Sequence, residues 1–563
     1  MSSYGKKIKK NEVQKTSFEK VTEVLMKIII LTYLFLIFGL FPFYMENNYS
    51  KLGDAKYHFF VYSSAIFLIL MIIVSIMYIG AHMNNSKLIT EKFASFSVTD
   101  YFAIAFLAVS FISSMFAMDT SVAFWGDPGW YMGLLAQTIF VMLIFFIARF
   151  FEWNSVIFEL MMLVAACVFL IAVFQRFGYD YFDLYSFKNS AGDIVHVSAT
   201  DVEKFVSTLG QTSWYSSYAV MIVPFGMFWY YNDDKTLSRI FSAIFIFIGG
   251  CSLCTVNNDS AYVAMVAIFS VFFWFALEKK EQLLRLLEIV LIFLGSFRFI
   301  GLLQDLFPEK RIELISGEEK ITEFLNHSNI VGVLFILLLI AYIALRVNLK
   351  NGNIKNSSND SDIINEKVVN IIRKVYIWGL IIAVWVVIML IILTTKHSLP
   401  GFLSKLYNVG FLNFDGHWGN QRGFNWSISV KAIGGGSFKE WLIGVGPDNF
   451  KKLINTFYRD ELKAFWGNKT LACAHCEWLN MIVNEGFLGV IAYAGIFITS
   501  IVRLGKTVKD EPMAMPFMAA ILAYVAYNMF CYQQCISTTL AFIFIGIGEM
   551  IIRETRKSKK GDK

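Results

Sequence analysis

The sequence predicts an all-α polytopic membrane protein, and three observations support this fold class. Of its 563 residues, 56% are hydrophobic and 16% are charged, whereas soluble domains contain about 45–50% apolar and about 25% charged residues. Apolar runs recur along the chain at the length of about 20 residues that an α-helix needs to cross a bilayer. Lysines and arginines collect in alternate segments between these runs, which is typical of cytoplasmic loops.

Hydropathy predicts about 14 transmembrane helices, and about 12 if the closely spaced pairs near residues 250–260 and 531–536 are single spans. The predicted spans are 25–43, 59–80, 101–117, 132–151, 155–175, 212–230, 239–256, 260–277, 286–303, 329–346, 376–395, 479–501, 516–533 and 535–552.

Both termini are predicted to lie in the cytoplasm. Residues 1–24 and 553–563 are rich in lysine and arginine, and such segments stay on the cytoplasmic side, which requires an even number of spans. A short loop predicted inside carries Lys235 and Arg239, whereas a loop predicted outside carries Asp127. The formal charge of +6 therefore follows from membrane topology, and no nucleic-acid partner is predicted.

Two hydrophilic segments interrupt the predicted helices. Residues 347–374, within the membrane helices of 25–395, are rich in Asn, Ser and Asp and predict a cytoplasmic linker. Residues 396–477 precede the last helices, 478–552, and contain many aromatic residues and an excess of basic ones. This composition predicts a folded lid on the outer face, whose positive charge suits an anionic ligand.

Arg422 begins one segment of this lid that could form a helix, and Gly434 to Gly436 would end that helix. An arginine at a helix start can join free backbone N–H groups in binding phosphate or diphosphate. A surface salt bridge or an arginine that reaches to the membrane interface is the alternative interpretation.

A second lid segment, residues 444–450, contains two glycines and a proline, which predict a tight turn. Its phosphate-binding character is weak, because it has neither the Lys-Ser/Thr of a P-loop nor the spacing of a dinucleotide fingerprint. A rigid turn is the favoured interpretation of this segment taken alone.

His475 lies where the lid re-enters the membrane, two residues before Glu477. Polar groups at such a position are costly and indicate function. The histidine has three interpretations: a general base or hydrogen-bond partner, a metal ligand with Cys473 and Cys476, or an interfacial histidine with a structural role. The cysteine spacing favours buried thiols over a zinc site, and it leaves open whether any disulfide forms.

Several short motifs occur in an order that resembles the O-antigen ligase and O-antigen polymerase superfamily. They are residues 124–134, 208–211 and 257–262, then Arg422 with Trp426, then residues 444–450 and 474–489. The combined order, from about residue 120 to residue 500, carries the resemblance.

This resemblance implies a bacterial membrane glycosyltransferase with a GT-C-like fold. Such enzymes take a glycan from a polyprenyl diphosphate, usually undecaprenyl diphosphate, on the outer face of the cytoplasmic membrane. They transfer it to a lipid, glycan or protein acceptor. Arg422 corresponds to the arginine that contacts the donor diphosphate, and His475 to the histidine that engages acceptor or donor. The other substrate-binding candidates are Asp259, Gln211, Glu477 and Asn449.

The residues also suit the chemistry of such a transfer, which needs charge stabilisation on the leaving group and removal of a proton from the acceptor. No acidic pair suggests a metal, so we expect a metal-independent reaction without a cofactor. A lipid-linked sugar transporter or flippase is the alternative, although no internal repeat or charged, broken helix typical of transporters stands out. A non-catalytic assembly partner is a further alternative.

Overall fold

The computed structural model describes residues 17–83, 86–189, 191–197, 205–310, 319–355 and 363–561. These residues are almost entirely helical, apart from a two-stranded antiparallel hairpin of β1 (Ser186–Lys188) and β2 (Ile194–His196). Residues 1–16 of the predicted cytoplasmic N-terminus and residues 562 and 563 of the predicted tail lie outside the described residues.

The α-helices are α1 (Ser17–Phe35), α2 (Leu52–Ala81), α3 (Ser86–Ile89), α4 (Val98–Met115), α5 (Thr120–Trp125), α6 (Leu134–Phe150), α7 (Ser155–Arg176), α8 (Thr212–Asn232), α9 (Thr236–Thr255), α10 (Ser260–Ala276), α11 (Lys280–Leu306), α12 (Lys320–His327), α13 (Asn329–Lys355), α14 (Glu366–Thr395), α15 (Trp418–Gly435), α16 (Phe438–Ile443), α17 (Phe450–Phe457), α18 (Arg459–Trp466), α19 (Glu477–Thr507), α20 (Ala514–Tyr527) and α21 (Cys535–Gly561).

Each predicted span coincides with a helix, and within the described ranges ten helices are long and apolar enough to cross a membrane. The chain is therefore a polytopic membrane protein. Three of the other four predicted spans, α6, α10 and α20, are shorter apolar helices, and the fourth, α8, has 21 residues but is not among these ten. The predicted span 516–533 is too long, since α20 ends at Tyr527 and residues 528–534 form a non-helical connection. At 1.5 Å per residue, α20 covers about 21 Å, less than the hydrocarbon thickness of about 30 Å.

Helix α21 lies at the centre of the bundle, where it packs against α6, α8, α19 and α20. Every residue in its most apolar window is buried. The apolar side chains of this helix therefore contact protein rather than lipid. Hydropathy alone cannot make this distinction, because a protein core and a bilayer select the same side chains.

A buried ionic cluster joins four helices at the end of the bundle opposite the lid. Asp100 of α4 accepts hydrogen bonds from Arg149 of α6 (3.2 Å) and Arg553 of α21 (2.7 Å). Arg503 of α19 pairs with the fully buried Glu549 of α21. Each of the five charges in this cluster thus has a partner of opposite sign, which offsets the cost of burying it.

Helices α13 and α14 stand at the periphery, and only 6% of the residues in the most apolar window of each are buried. At one end of α14, Arg373 pairs with Glu278 (2.9 Å); at the other, the backbone N–H of Phe414 donates to Thr395 (2.8 Å). The two helices extend into the predicted linker 347–374 from both sides. Residues 356–362 of this linker lie outside the described part.

The predicted lid, residues 396–477, contains helices α15 to α18 and two short 3-10 helices. Buried Ile428, Phe450, Ile454 and Leu462 form a small core that continues to Val483 on α19. In α15 the regular helix starts at Arg422, because Gly419, Asn420 and Gln421 all adopt positive φ. The lid thus packs on one end of the bundle through its own apolar core.

Candidate functional site

Two close backbone contacts fix the lid to α19. The N–H of Val445 donates to the carbonyl of Val483 (3.1 Å), and that of Gly446 donates to the carbonyl of Asn484 (2.9 Å). Gly486 interrupts α19 with φ +70°, and a Cβ there would lie 2.3 Å from the carbonyl carbon of Leu442. The glycines of segments 444–450 and 474–489 therefore allow the two backbones to approach, and segment 444–450 forms the predicted turn.

His475 lies in the turn immediately before α19. Its φ of +53° is uncommon for a residue other than glycine. The imidazole Nδ1 lies 2.9 Å from Sγ of the buried Cys473, and the ring packs against Tyr532, with ring centroids 5.2 Å apart. The turn thus presents a partly buried imidazole between the lid and residues 528–534.

Arg422 is held at the start of the regular part of α15 by two backbone carbonyls. Its Nε donates to Phe530 (3.1 Å) and its Nη1 donates to Gly419 (2.7 Å). Among the described residues, Arg422 forms no ion pair. The charge of Arg422 also acts on the carboxylate of Glu319, but without forming an ion pair with it. Because a partly buried cation without an ion-pair partner favours an anion, the guanidinium is available to bind one.

The environment keeps His475 neutral at physiological pH. Burial, together with the positive charge of Arg422, lowers the pKa of His475 to about 4. A pKa this far below 7 leaves the ring unprotonated but makes it a weak base. Arg422 therefore supplies the positive charge of the site, and His475 supplies neutral hydrogen-bonding groups.

Gln211 is connected to His475 through Tyr532, whose side chain contacts both residues. The Tyr532 hydroxyl donates to Oε1 of Gln211 (2.8 Å), and its ring meets Trp130 edge to face at 4.5 Å. The structure therefore brings Arg422, His475 and Gln211 together around residues 528–534. The sequence analysis missed the role of segment 528–534, because it assigned residues 528–533 to a transmembrane span. The polar triplet of residues 532–534 between two apolar runs was the available signal.

Glu477 points into a small cavity. One carboxylate oxygen accepts the backbone N–H of Gln533 (2.6 Å), while the other is buried without a partner among the described residues. The cavity measures about 20 Å³ and is also lined by Cys473, Asn484 and Tyr532. This volume accommodates about one water molecule, so it leaves no room for a sugar ring.

Asn449 and Asp448 connect the lid to the segment after α4. The fully buried Asn449 accepts the N–H of Asp119 (3.0 Å) and donates to Pro447 (3.0 Å). Oδ2 of Asp448 accepts the N–H groups of Asp127 (2.6 Å) and Met132 (3.0 Å). All of these hydrogen bonds join the side chains of Asn449 and Asp448 to backbone groups of the protein itself. Asn449 thus has an anchoring role in this structure.

Asp259 caps the short helix α12. Its carboxylate accepts the backbone N–H groups of Ile321 (2.9 Å) and Thr322 (3.1 Å), together with the Thr322 hydroxyl (3.1 Å). It forms no ion pair with a lid arginine in the described part of the chain. Capping of α12 is thus the role of Asp259 in this structure, and its contact with a sugar stays a prediction.

The interpretation of His475 as a metal ligand gains no support from its neighbours. Across the described ranges, no group of three or more His, Cys, Asp or Glu residues is arranged to hold a metal ion. All seven cysteines are free thiols, and six of them are buried. The imidazole instead contacts the Cys473 thiol directly.

No protein-family model and no curated protein matches this chain.

Proposed function

We propose that this protein is a membrane glycosyltransferase that uses a polyprenyl diphosphate-linked glycan, with undecaprenyl diphosphate as the carrier. The reaction takes place on the outer face of the bacterial cytoplasmic membrane and serves the assembly of cell-surface polysaccharide, with both chain termini in the cytoplasm. The observation that supports this proposal most directly is Arg422, a partly buried cation without an ion-pair partner in the described part, beside neutral His475.

The position of Arg422 suits a lipid-linked diphosphate. The polyprenyl chain of such a donor stays in the bilayer, so its diphosphate lies where the bundle meets the lid. Arg422 is held at this level by the carbonyl of Phe530 in the connection between α20 and α21. A guanidinium offers five N–H donors, of which two are used here. The remaining donors can bind phosphate oxygens.

The transfer breaks the bond between the anomeric carbon and the diphosphate oxygen, which keeps the electron pair. The acceptor hydroxyl oxygen forms the new bond to that carbon and loses its proton. Arg422 stabilises the negative charge that develops on the leaving diphosphate. His475 forms a hydrogen bond to a reacting oxygen, and the partly exposed ring of Trp130 provides apolar surface for a sugar.

The test is mass spectrometry of the polyprenyl diphosphate-linked glycans from source cells with and without this gene. Accumulation of single repeat units supports a polymerase, whereas accumulation of long chains or loss of glycan from its acceptor supports a ligase. An unchanged lipid-linked pool contradicts the proposal and favours a transporter or a non-catalytic assembly partner.

The Arg422→Ala variant tests the site itself, in the gene-deleted cell. It should reproduce the glycan pool of the deletion at equal protein level. Arg459→Ala is the matched control, since Arg459 is an exposed arginine of the same lid. Restoration of the normal pool by Arg422→Ala would refute the assignment of this site.

A further inference from the structure

Cys473 and His475 form a side-chain pair inside the candidate site. The sulfur lies 2.9 Å from Nδ1, and the fully buried Ala474 between them holds the turn in place. The positive φ of His475 folds its ring back toward the residue two positions earlier. This thiol therefore occupies Nδ1, one of the two ring nitrogens of His475.

The hydrogen between these two atoms belongs to the thiol. Burial raises the pKa of the Cys473 thiol well above its ordinary value and lowers the pKa of His475 to about 4, so both groups are neutral near pH 7. Sulfur is a weak acceptor, and the backbone N–H of His475 already interacts with it. An imidazole nitrogen with a free lone pair is the better acceptor, so S–H donates to Nδ1.

We propose that Cys473 is a positioning residue that holds His475 in the tautomer with hydrogen on Nε2, so that His475 acts as a hydrogen-bond donor. This proposal rests on the proposed function for its target, an oxygen of the diphosphate or of the reacting sugar. A neutral imidazole carries one N–H, and a hydrogen bond at one nitrogen determines the state of the other.

The surroundings of the His475 ring agree with a hydrogen-bond donor at Nε2. Among the described residues, Nε2 of His475 has no hydrogen-bond partner, whereas Nδ1 is occupied by Cys473. Tyr532 packs on the ring and limits its rotation. Arg422 and the Nε2–H group then offer donors only, which suits the negative charge on the leaving diphosphate. The proton of the acceptor hydroxyl leaves to water at the outer face.

The tautomer can be measured directly by ¹⁵N NMR of the full-length protein labelled at the histidine rings, because protonated and unprotonated ring nitrogens differ widely in chemical shift. The His475→Gln variant assigns the signals of this ring. We expect unprotonated Nδ1 and protonated Nε2 in the wild type, a mixture of tautomers in Cys473→Ala, and the wild-type pattern in Cys473→Ser. Protonated Nδ1 in the wild type, or an unchanged spectrum of Cys473→Ala, would overturn the proposal.

Cys476→Ser is the matched control, since Cys476 is also buried and adjacent to His475 but lies at the N-cap position of α19, without a hydrogen bond to the ring among the described residues. In glycan transfer, Cys473→Ala should lower kcat about 10-fold with little change in KM, and Cys473→Ser should recover most of that loss. Wild-type kcat in Cys473→Ala overturns the role of the pair. Absence of transferase activity from the wild type, with the expected spectrum, refutes the proposed function but supports the tautomer.

Discussion

Asp448 offers a test in which removal of a charge should strengthen the attachment of the lid. Its buried carboxylate binds two backbone N–H groups through one oxygen, Oδ2, and burial raises the pKa of Asp448 from 3.8 to about 6. The folded protein therefore binds a proton more tightly than the unfolded chain. The resulting stabilisation is complete below about pH 4 and is lost as the pH rises through about 6.

The size of this effect follows from the shift in pKa. The rise in the pKa of Asp448 from 3.8 to about 6 makes the charged carboxylate about 3 kcal/mol less favourable in the folded state at neutral pH. Asp448→Asn keeps an oxygen for both N–H groups and removes the charge. Asparagine also tolerates the φ of +58° at this position. We expect the variant to raise the free energy of lid opening by up to about 3 kcal/mol at pH 7.5 and to change it little at pH 4.

Hydrogen exchange of the backbone N–H groups of Asp127 and Met132, corrected for intrinsic rates, reports this free energy. Asp119→Asn is the control, because the pKa of Asp119 changes in the opposite direction to that of Asp448. Hydrogen bonds from the backbone N–H groups of Val122 and Ser121 and from Lys452 lower the pKa of Asp119. Faster exchange in Asp448→Asn than in the wild type at pH 7.5 would refute the reasoning. An undiminished pH dependence in the variant would show that other groups cause it.

Four further predictions concern the site and its support. Arg422→Lys should lower glycan transfer at least about 10-fold, since a point charge cannot replace a bidentate fork, while Arg459→Lys should leave it unchanged. His475→Ala should abolish most transfer without a change in melting temperature measured by tryptophan fluorescence; a large drop would indicate a structural role. Gly486→Ala should lower the melting temperature, because a Cβ there lies 2.3 Å from a backbone carbon, whereas Gly434→Ala meets no atom within 4 Å. Transfer should persist in excess chelator, and its loss there would contradict a metal-independent reaction.

The helices could be located from the sequence because their signal is local. Each predicted span falls on a helix, since a run of apolar residues has the same hydropathy wherever it packs. The predicted end of the span at residue 533 was wrong for the same reason. The apolar residues of 528–533 continue the hydrophobic run, although the helix ends at Tyr527. Likewise, burial of α21 inside the bundle is a property of its neighbours rather than of its own residues.

The candidate site, like the fold, could be predicted only in part from the sequence. Arg422 and His475 were recognisable as a cation and an imidazole at unusual positions, and the structure places them together. The sequence could not indicate that the carboxylate of Asp259 caps α12 or that Asn449 anchors the lid, because their partners lie 62 and 330 residues away. Tyr532 was also missed, since its contact with Gln211 joins residues 321 positions apart.

The sequence by itself determined that this chain resides in a membrane, where its helices lie, and which polar residues are candidates for a functional site, because hydropathy and residue type are local properties. Only the tertiary structure decided which of these polar groups are occupied by partners within the protein and which remain open. That distinction depends on hydrogen bonds between distant segments, such as the bond from Arg422 to Phe530 across 108 positions.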